Sequence, residues 1–385
     1  MWTDVNKVDV LRDTRDYRID FLRGLALLSI FINHVRGNFY EKFTHKNFGL
    51  SDAAEVFVLL AGVAAALAFY PKYVKGGHDA TIRKIGERIG SLYFWHISMT
   101  MFALSMFVFA GAIFHNPALF KEINIGPVVA DPLRGFLGLF GMGHQLGYFN
   151  ILPMYMVLLA LLPVIMSLYK VNIKLLLAVS ISLYLFSGFF YFGLPNYPNK
   201  GVWFFNPLSW QLLYVIGFAG WLYAREHGGI PYNKYVFWAA VVMLVWWCLW
   251  VQFGWWHLWS YVTLKGAAGA LWGFNKSFIS IPRLLHVLAL AYVFIHSPLP
   301  GLLQRIISKN NPLVRIGQHG LHLFCFGSVL SMFLLIIRIQ LGGSILLDTV
   351  LVGFGIYCHF ALASYLSRPN KSKTDGPLVA GGVAT

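Results

Sequence analysis

Residues 18–37 combine an apolar run with ionisable residues near both ends, a combination that can position a general base. Arg23 lies near the start of this run, and His34 follows it eleven residues later. On a helix that separation is about 16 Å along the axis and only ~20° around it, so the two side chains share one face. Histidine is the usual general base near neutral pH, because its unperturbed pKa is about 6.5. His34 is therefore the first candidate for taking a proton from a hydroxyl.

A second apolar run begins with two acidic residues. Asp52 and Glu55 are three residues apart, so they lie on one face of a helix that starts there. We expect them at the same membrane depth as His34, where a carboxylate would orient the ring and stabilise an imidazolium, as in catalytic triads. The alternative is that both residues only favour the helix N-terminus electrostatically.

Other ionisable residues lie near the ends of later apolar runs. Arg283 and His286 begin the eighth run on the outer side, and His144 precedes the fourth. These three can contact a substrate that arrives from outside. His319 begins the ninth run on the inner side and can contact a cofactor from the cytoplasm. A lone histidine near a membrane interface more often has a purely structural role, and this alternative applies to each of them.

Asp20 and Arg23 mark the cytoplasmic start of the first run. They can pair with each other, or they can bind an anion, because the positive end of the helix dipole points to this side. Four further basic residues can join them around a phosphate-rich cofactor: Arg18, Arg83, Lys84 and Arg88. Ordinary anchoring of positive charge on the cytoplasmic side explains the same residues.

Several common catalytic motifs are missing from the sequence. No His/Asp/Glu group has the spacing of His-Glu-x-x-His, and neither a Gly-x-Ser-x-Gly elbow nor a phosphate-binding loop occurs. We therefore predict a site without a metal ion.

The amino-acid composition indicates which class of protein carries these candidate residues. Of the 385 residues, 58% are hydrophobic and 12% charged, whereas a soluble domain carries about 25% charged residues. The composition indicates a membrane protein that crosses the bilayer several times. The net charge of +15 is spread over short loops, so it favours positive charge on the cytoplasmic side over nucleic-acid binding.

Apolar runs of about 17–25 residues predict an all-α bundle of ten membrane spans. They lie near 21–37, 50–70, 91–114, 148–168, 173–193, 207–224, 235–253, 284–300, 316–338 and 344–366. Of the 30 Lys and Arg residues, 19 fall in one set of loops and termini and ten in the opposite set, with Arg23 inside the first span. This bias predicts that both termini are cytoplasmic.

The domain organisation follows from these spans. We expect a cytoplasmic N-terminal segment at 1–20, one transmembrane domain at 21–366 and a disordered cytoplasmic tail at 367–385. The basic segment 71–90 is predicted to be the longest inward loop. The long outward segments, above all 254–283 with its tryptophans, would form the rim of a site open to the outside.

Several stretches together resemble one family. Asp20-Phe-Leu-Arg23-Gly-Leu-Ala, followed by Asn-His34, resembles the first-helix signature of integral-membrane acyltransferases, and more specifically of the OpgC family, which succinylates osmoregulated periplasmic glucans. Four other stretches extend the resemblance over most of the chain: Ser51-Asp-Ala-Ala-Glu-Val-Phe-Val-Leu-Leu-Ala-Gly62, Ile151-Leu-Pro-Met-Tyr155, Phe205-Asn-Pro-Leu-Ser-Trp-Gln211 and Arg283-Leu-Leu-His286-Val-Leu-Ala-Leu-Ala-Tyr292.

The resemblance implies an inner-membrane enzyme that moves an acyl group from cytoplasmic acyl-CoA, with succinyl-CoA as the expected donor, to a hydroxyl of periplasmic glucan. His34 matches the family's catalytic histidine, and Arg23 matches the arginine that faces acyl-CoA. Asp52 and Glu55 match the acidic motif of the second helix. A succinyl group carries a second carboxylate, for which Arg283 or Arg36 is a candidate partner.

Two alternatives remain open at this stage. The first keeps the enzyme but changes its substrates, to acetyl transfer onto another surface polysaccharide or lipopolysaccharide. The second is a proton-coupled transporter or glycan exporter, in which His34, Asp52 and Glu55 relay protons. The oligomeric state is not indicated by the sequence.

Overall fold

The computed structural model of the protein describes residues 16–258 and 268–368. Most of the predicted segment 1–20 and nearly all of the predicted tail 367–385 lie outside the described residues. Within the described ranges the chain is helical and forms no β-strand, and one isolated antiparallel bridge joins Pro195 to Val202. The predicted all-α class is therefore confirmed.

The helices of seven or more residues are numbered here in chain order. They are α1 Tyr17–His34, α2 Ala53–Val74, α3 His78–Ile113, α4 Pro132–Phe140, α5 Ile151–Val171, α6 Ile173–Phe189, α7 Pro207–His227, α8 Lys234–Gln252, α9 Ile281–His296, α10 Leu299–Ile306, α11 Pro312–Gln318, α12 Gly320–Leu341 and α13 Ile345–Leu366. Shorter helical turns occur at Phe39–Phe43, His45–Asn47, Leu119–Glu122, Gly126–Ala130 and Trp255–Leu258.

Within the described residues, six helices are long and apolar enough to cross a membrane: α2, α3, α5, α8, α12 and α13. A seventh span is possible if α9 and α10, which meet at a bend of 65°, count as one. Each of the ten predicted spans overlaps one of the helices above. Ten crossings nevertheless stay a prediction, because α1, α6 and α7 are not among the helices that are long and apolar enough to cross.

Helix α3 differs from its prediction. The basic segment 71–90 is not a loop, because α2 continues to Val74 and α3 begins at His78. With 36 residues, α3 is about 54 Å long, well beyond a hydrocarbon core of about 30 Å. Its charged first turns therefore extend past the apolar layer as a helix, which a charge pattern alone does not distinguish from a loop.

Small residues bring the central helices into close contact. A Cβ atom added at Gly62 of α2 would overlap the carbonyl oxygen of Tyr214 on α7, and one at Gly217 of α7 would overlap the carbonyl oxygen of Leu59. Such contacts are typical of helix pairs in membranes, where close backbone approach replaces the hydrophobic drive. The α2–α7 pair thereby forms a rigid centre for the bundle.

Helix α1 packs against α11 in the same way. A Cβ at Gly24 would overlap the carbonyl oxygen of Leu313, and one at Gly317 would overlap the carbonyl oxygen of Asp20. No larger residue fits at these two positions without moving backbone. The half of α1 that carries Asp20 and Arg23 is thus held by backbone-to-backbone contact.

Polar contacts fix the other end of α1. The side-chain amide of Asn38 donates to the carbonyl oxygen of Val35 at 2.7 Å, which closes the helix. Arg338 of α12 donates to the carbonyl oxygen of Gly37 at 2.6 Å and to the carboxylate of Asp348, on α13, at 2.7 Å. These bonds attach the segment after His34 to α12 and α13.

Candidate active site

His34 is the last residue of α1, and its ring is half-buried. The ring stacks on Tyr148, with centroids 4.0 Å apart and planes inclined by 9°. Arg36 donates through Nε to the Tyr148 hydroxyl at 2.7 Å and pairs with Glu122 at 3.4 Å. The Nδ1 atom of His34 is buried and has no hydrogen-bond partner among the described residues. The imidazole is thus held by stacking, and no described residue occupies its Nδ1 atom.

Asp52 and Glu55 form a capping box at the start of α2. The Asp52 carboxylate accepts from the backbone N–H of Ala54 at 2.8 Å, and the Glu55 carboxylate accepts from the backbone N–H of Asp52 at 2.9 Å. The structural role weighed from the sequence is therefore present. It uses only part of the capacity of the two carboxylates, since each oxygen can accept more than one bond.

Two cations fill the remaining capacity. Arg283 donates through Nε to Glu55 Oε1 at 2.7 Å, and its Nη2 lies 2.5 Å from the same oxygen and 3.5 Å from Asp52 Oδ2. Lys276 donates through Nζ to Asp52 Oδ2. Glu55 is fully buried, and the Arg283 side chain is only 11% exposed. We call Asp52, Glu55, Lys276 and Arg283 the four-charge cluster.

The four-charge cluster acts electrostatically on His34. Both Lys276 and Asp52 are close enough for their charges to influence the imidazole, and Lys46 contributes a weaker effect. The cluster and His34 therefore belong to one region of the molecule. That Asp52 lies at the same membrane depth as His34 stays a prediction.

The position of Lys276 comes from a distant part of the chain. Trp210 donates through Nε1 to the carbonyl oxygen of Lys276 at 3.0 Å. The backbone N–H of Asn206 donates to the carbonyl oxygen of Ser277 at 3.1 Å. The Lys276 ammonium also lies 5.5 Å from the centre of the Phe205 ring. The stretch 205–211, which was quoted for its family resemblance, thus holds the segment that carries Lys276.

Two histidines flank Ser51, the residue before the four-charge cluster begins. The hydroxyl oxygen of Ser51 is 2.8 Å from Nδ1 of His286 and 3.3 Å from Nε2 of His45. A Cβ at Gly49 would overlap the His286 ring, so that ring lies directly against the backbone. Burial lowers the pKa of His45 below its usual value. These contacts fix the start of α2 and join it to α9.

His144 is held within its own segment. Its Nε2 is 2.8 Å from the carbonyl oxygen of Asn124, and its Cβ would contact a Cβ placed at Gly138. The structure records no contact between His144 and the four-charge cluster. The same segment reaches His34 through Tyr148 instead. A role of His144 in substrate binding stays a prediction.

The Arg23 end of α1 packs against α11 and α12. The guanidinium of Arg23 lies 4.0 Å from the carboxylate of Asp20, and a Cβ at Gly320 would be 3.0 Å from an Arg23 nitrogen. His319, next to Gly320, has its Nε2 3.2 Å from the Ser367 hydroxyl. Asp20, Arg23 and His319 therefore lie at one junction of α1 with α11 and α12, as a shared role requires.

The structure adds residues that the sequence reading did not assign to the site. In the sequence, Lys276 is only one of the ten basic residues of the outward set. Nothing there assigns Tyr148, Ser51 or His45 to the site. Ser51 has a weak signal, since it directly precedes Asp52. The others are joined to the site by contacts between segments more than a hundred residues apart, except His45. In the described parts of the chain, no group of three or more His, Cys, Asp or Glu residues is arranged to hold a metal ion.

Comparison with known families agrees with this geometry. The family model described as OpgC protein matches residues 15–371, nearly the whole chain. Searches of curated proteins and of solved structures found no match. The matched range includes both ends of α1, all four residues of the four-charge cluster and the segment that carries Lys276. The chain belongs to the OpgC family.

Proposed function

We propose that this protein is an inner-membrane O-acyltransferase that transfers a succinyl group from cytoplasmic acyl-CoA to hydroxyls of periplasmic glucan. The observation that carries the proposal is helix α1, which is unbroken from Tyr17 to His34 and presents Arg23 and His34 about 16 Å apart on one face. Family membership supports acyl transfer to glucan as the reaction. The proposal includes ten spans, with both termini in the cytoplasm.

The Arg23 end would bind the charged part of acyl-CoA. Arg23 and Arg88 both act electrostatically on the buried Tyr155 hydroxyl, so both positive charges lie in the region of Tyr155. The N-terminus of α1 adds the positive end of its dipole on the same side. A CoA phosphate group would be stabilised by these charges, while the pantetheine arm follows α1 toward His34.

His34 would act as the general base. Its imidazole takes the proton of a glucan hydroxyl as the oxygen attacks the thioester carbonyl carbon and a C–O bond forms. The tetrahedral intermediate then collapses, the C–S bond breaks, and the imidazolium returns its proton to the CoA thiolate. The negative charge of Asp52 would stabilise the imidazolium. General-base catalysis of this kind contributes about 10²–10⁴-fold to the rate.

The stacking partner Tyr148 would fix the plane of the imidazole. A ring stacked at 4.0 Å cannot rotate without losing that contact. The plane of the imidazole is therefore set before substrate arrives, which lowers the cost of orienting the ring in the transition state.

The test is acyl transfer by the purified full-length protein in detergent. Succinyl-CoA or acetyl-CoA would be offered with linear or cyclic glucan, and the products weighed by mass spectrometry. Wild type should add succinyl groups, and His34→Ala should lower the rate about 10²–10⁴-fold. His227→Ala, an exposed histidine at the end of α7, is the matched control and should leave the rate unchanged.

Two outcomes would change the proposal. If wild type adds only acetyl groups, the mechanism stands and the donor is wrong. If wild type consumes neither donor and does not bind CoA, the enzyme proposal falls. Proton-coupled transport through His34, Asp52 and Glu55 would then be measured in vesicles.

A further inference from the structure

Four cations lie beside His34 or in the four-charge cluster, and they differ in how their acidic partners are buried and in how far they are exposed. Arg36 donates to Tyr148 and pairs with Glu122, and Lys46 pairs with Glu41 at 3.0 Å. Both lie on segments after α1. The other two, Lys276 and Arg283, belong to the four-charge cluster and follow α8 in the chain.

Arg283 is committed to the protein. Its Nε and Nη2 atoms face Glu55, which is completely buried, and Nη2 also faces Asp52. Turning this guanidinium toward a ligand would leave the Glu55 carboxylate buried without its partner, which is a costly state. Arg283 is therefore poorly suited to bind the carboxylate of an incoming acyl group, although its position first suggested that role.

Lys276 is differently placed. Its ammonium has three N–H donors, and the structure records one hydrogen bond, to Asp52. Among the described residues the remaining two donors have no acceptor. The side chain is 27% exposed, against 11% for Arg283, so a ligand can reach it.

Neighbouring groups hold the Lys276 ammonium where a ligand would meet it. The Phe205 ring supports the charge from one side at 5.5 Å, and Asp52 binds it from another. The backbone of Lys276 is anchored by Trp210, so its stem starts from a fixed point. The ammonium also lies within electrostatic reach of His34.

From this arrangement we infer that Lys276 selects acyl donors that carry a distal carboxylate, by donating hydrogen bonds to that carboxylate while His34 activates the acceptor hydroxyl. The inference deepens the proposed function and rests on it. Arg283 serves instead as a positioning residue, which holds Glu55 and Asp52 at the start of α2.

The experiment compares two donors that differ only at the distal group. Succinyl-CoA ends in a carboxylate, whereas butyryl-CoA has a methyl group in its place and nearly the same length. Initial rates of transfer to glucan by the purified full-length protein give a succinyl-to-butyryl preference. Wild type should prefer succinyl-CoA.

Lys276→Met keeps an unbranched stem and removes the ammonium. Both rates should fall, because Asp52 loses its partner, but the succinyl preference should drop by about ten- to a hundredfold, the range for one hydrogen bond to a charged group. Lys276→Arg should keep most of the preference, because guanidinium also donates to carboxylates. Lys200→Met, at an exposed lysine in the loop after α6, is the matched control and should match wild type.

Arg283→Met distinguishes the role of Arg283 from that of Lys276. It should lower both rates by the same factor, so the preference stays at the wild-type value. If Lys276→Met also lowers both rates equally, or if wild type shows no succinyl preference, the inference is overturned and the acyltransferase proposal stands. If wild type transfers neither group, the proposed function falls and the inference with it. Where Lys276→Met is not recovered folded, the succinyl-to-butyryl preference is measured in Lys276→Gln and Lys276→Arg instead.

Discussion

The two ends of helix α1 are held by contacts of different kinds. At the His34 end, side chains from α1, α2, α9 and two loops meet through ion pairs, hydrogen bonds and ring stacking. At the Arg23 end, glycines of α1, α11 and α12 permit close contact with neighbouring groups, and Arg23 lies 4.0 Å from Asp20. Polar contacts thus join the helices at the His34 end, and close packing at glycines joins them at the Arg23 end.

This difference suits two different tasks. A general base must keep one orientation to within a fraction of an ångström, and a dense polar network provides that rigidity. A site for a long, multiply charged ligand needs a cation at a junction of several helices, such as Arg23 where α1 meets α11 and α12. The comparison predicts that the two ends respond to different substitutions.

The largest expected effect is at the buried ion pair of the His34 end. Glu55→Gln leaves Arg283 without a full charge partner in a buried position, so the free energy of unfolding should fall by about 3–5 kcal/mol. Denaturant unfolding of the purified protein measures the change. Glu122→Gln is the control, since its pair with Arg36 is partly exposed and should be worth less than about 1 kcal/mol. Equal effects would show that the four-charge cluster is not a distinct unit.

The next effect is at the Arg23 end and depends on volume. In Gly317→Ala, the new methyl group overlaps the backbone oxygen of Asp20, so we expect a loss of about 1–3 kcal/mol in the free energy of unfolding. Gly86→Ala is the control, because a Cβ there meets no atom within 4 Å and alanine favours the helix by about 0.5–1 kcal/mol. If Gly317→Ala is as stable as wild type, close packing does not define this end.

Tyr148 allows the contributions to the orientation of His34 to be separated. Tyr148→Phe keeps the stacked ring but removes the hydroxyl that accepts from Arg36. The free energy of unfolding should fall by about 0.5–1.5 kcal/mol, the contribution of one hydrogen bond. Acyl transfer should fall only severalfold. Tyr148→Leu removes the ring as well and should lower transfer further. A larger loss in Tyr148→Phe than in Tyr148→Leu would contradict the role of stacking.

The smallest effect is a pH dependence at His45. Because burial lowers the pKa of His45 in the folded protein, the unfolded chain binds the proton more readily. Stability from this residue is therefore complete above the ordinary histidine pKa of about 6.5 and is lost as the pH falls below it. Unfolding measured between pH 8 and pH 5, a window chosen around that value of about 6.5, should show a shallower pH dependence in His45→Gln than in wild type. Identical slopes would exclude the effect.

Much of the fold follows from local patterns in the sequence. Each predicted span overlaps a helix, because only a helix satisfies the backbone N–H and C=O groups of such a long apolar run within the run itself. Asp52 begins α2 as predicted, because acidic residues at a helix start satisfy free N–H groups. The shared face of Arg23 and His34 needs only an unbroken helix, and α1 provides one.

The parts that sequence reasoning missed depend on contacts between distant segments. The segment 71–90 looked like a loop because of its charges, whereas the structure continues it as helix into α3. Lys276 lies in a long connection between α8 and α9, and it is placed by Trp210 of α7 and by Asn206, the residue before α7. Neither its spacing nor its neighbours in the chain indicate that it meets Asp52.

The most direct test of the account separates donor and acceptor across a membrane. Wild type and His34→Ala would be reconstituted in sealed vesicles, with glucan inside and succinyl-CoA outside, and the protein orientation determined by protease access. The account predicts that wild type molecules with the Arg23 end outward succinylate the enclosed glucan, and that His34→Ala does not. Transfer only when both substrates share one side, or equal transfer by His34→Ala, would contradict it.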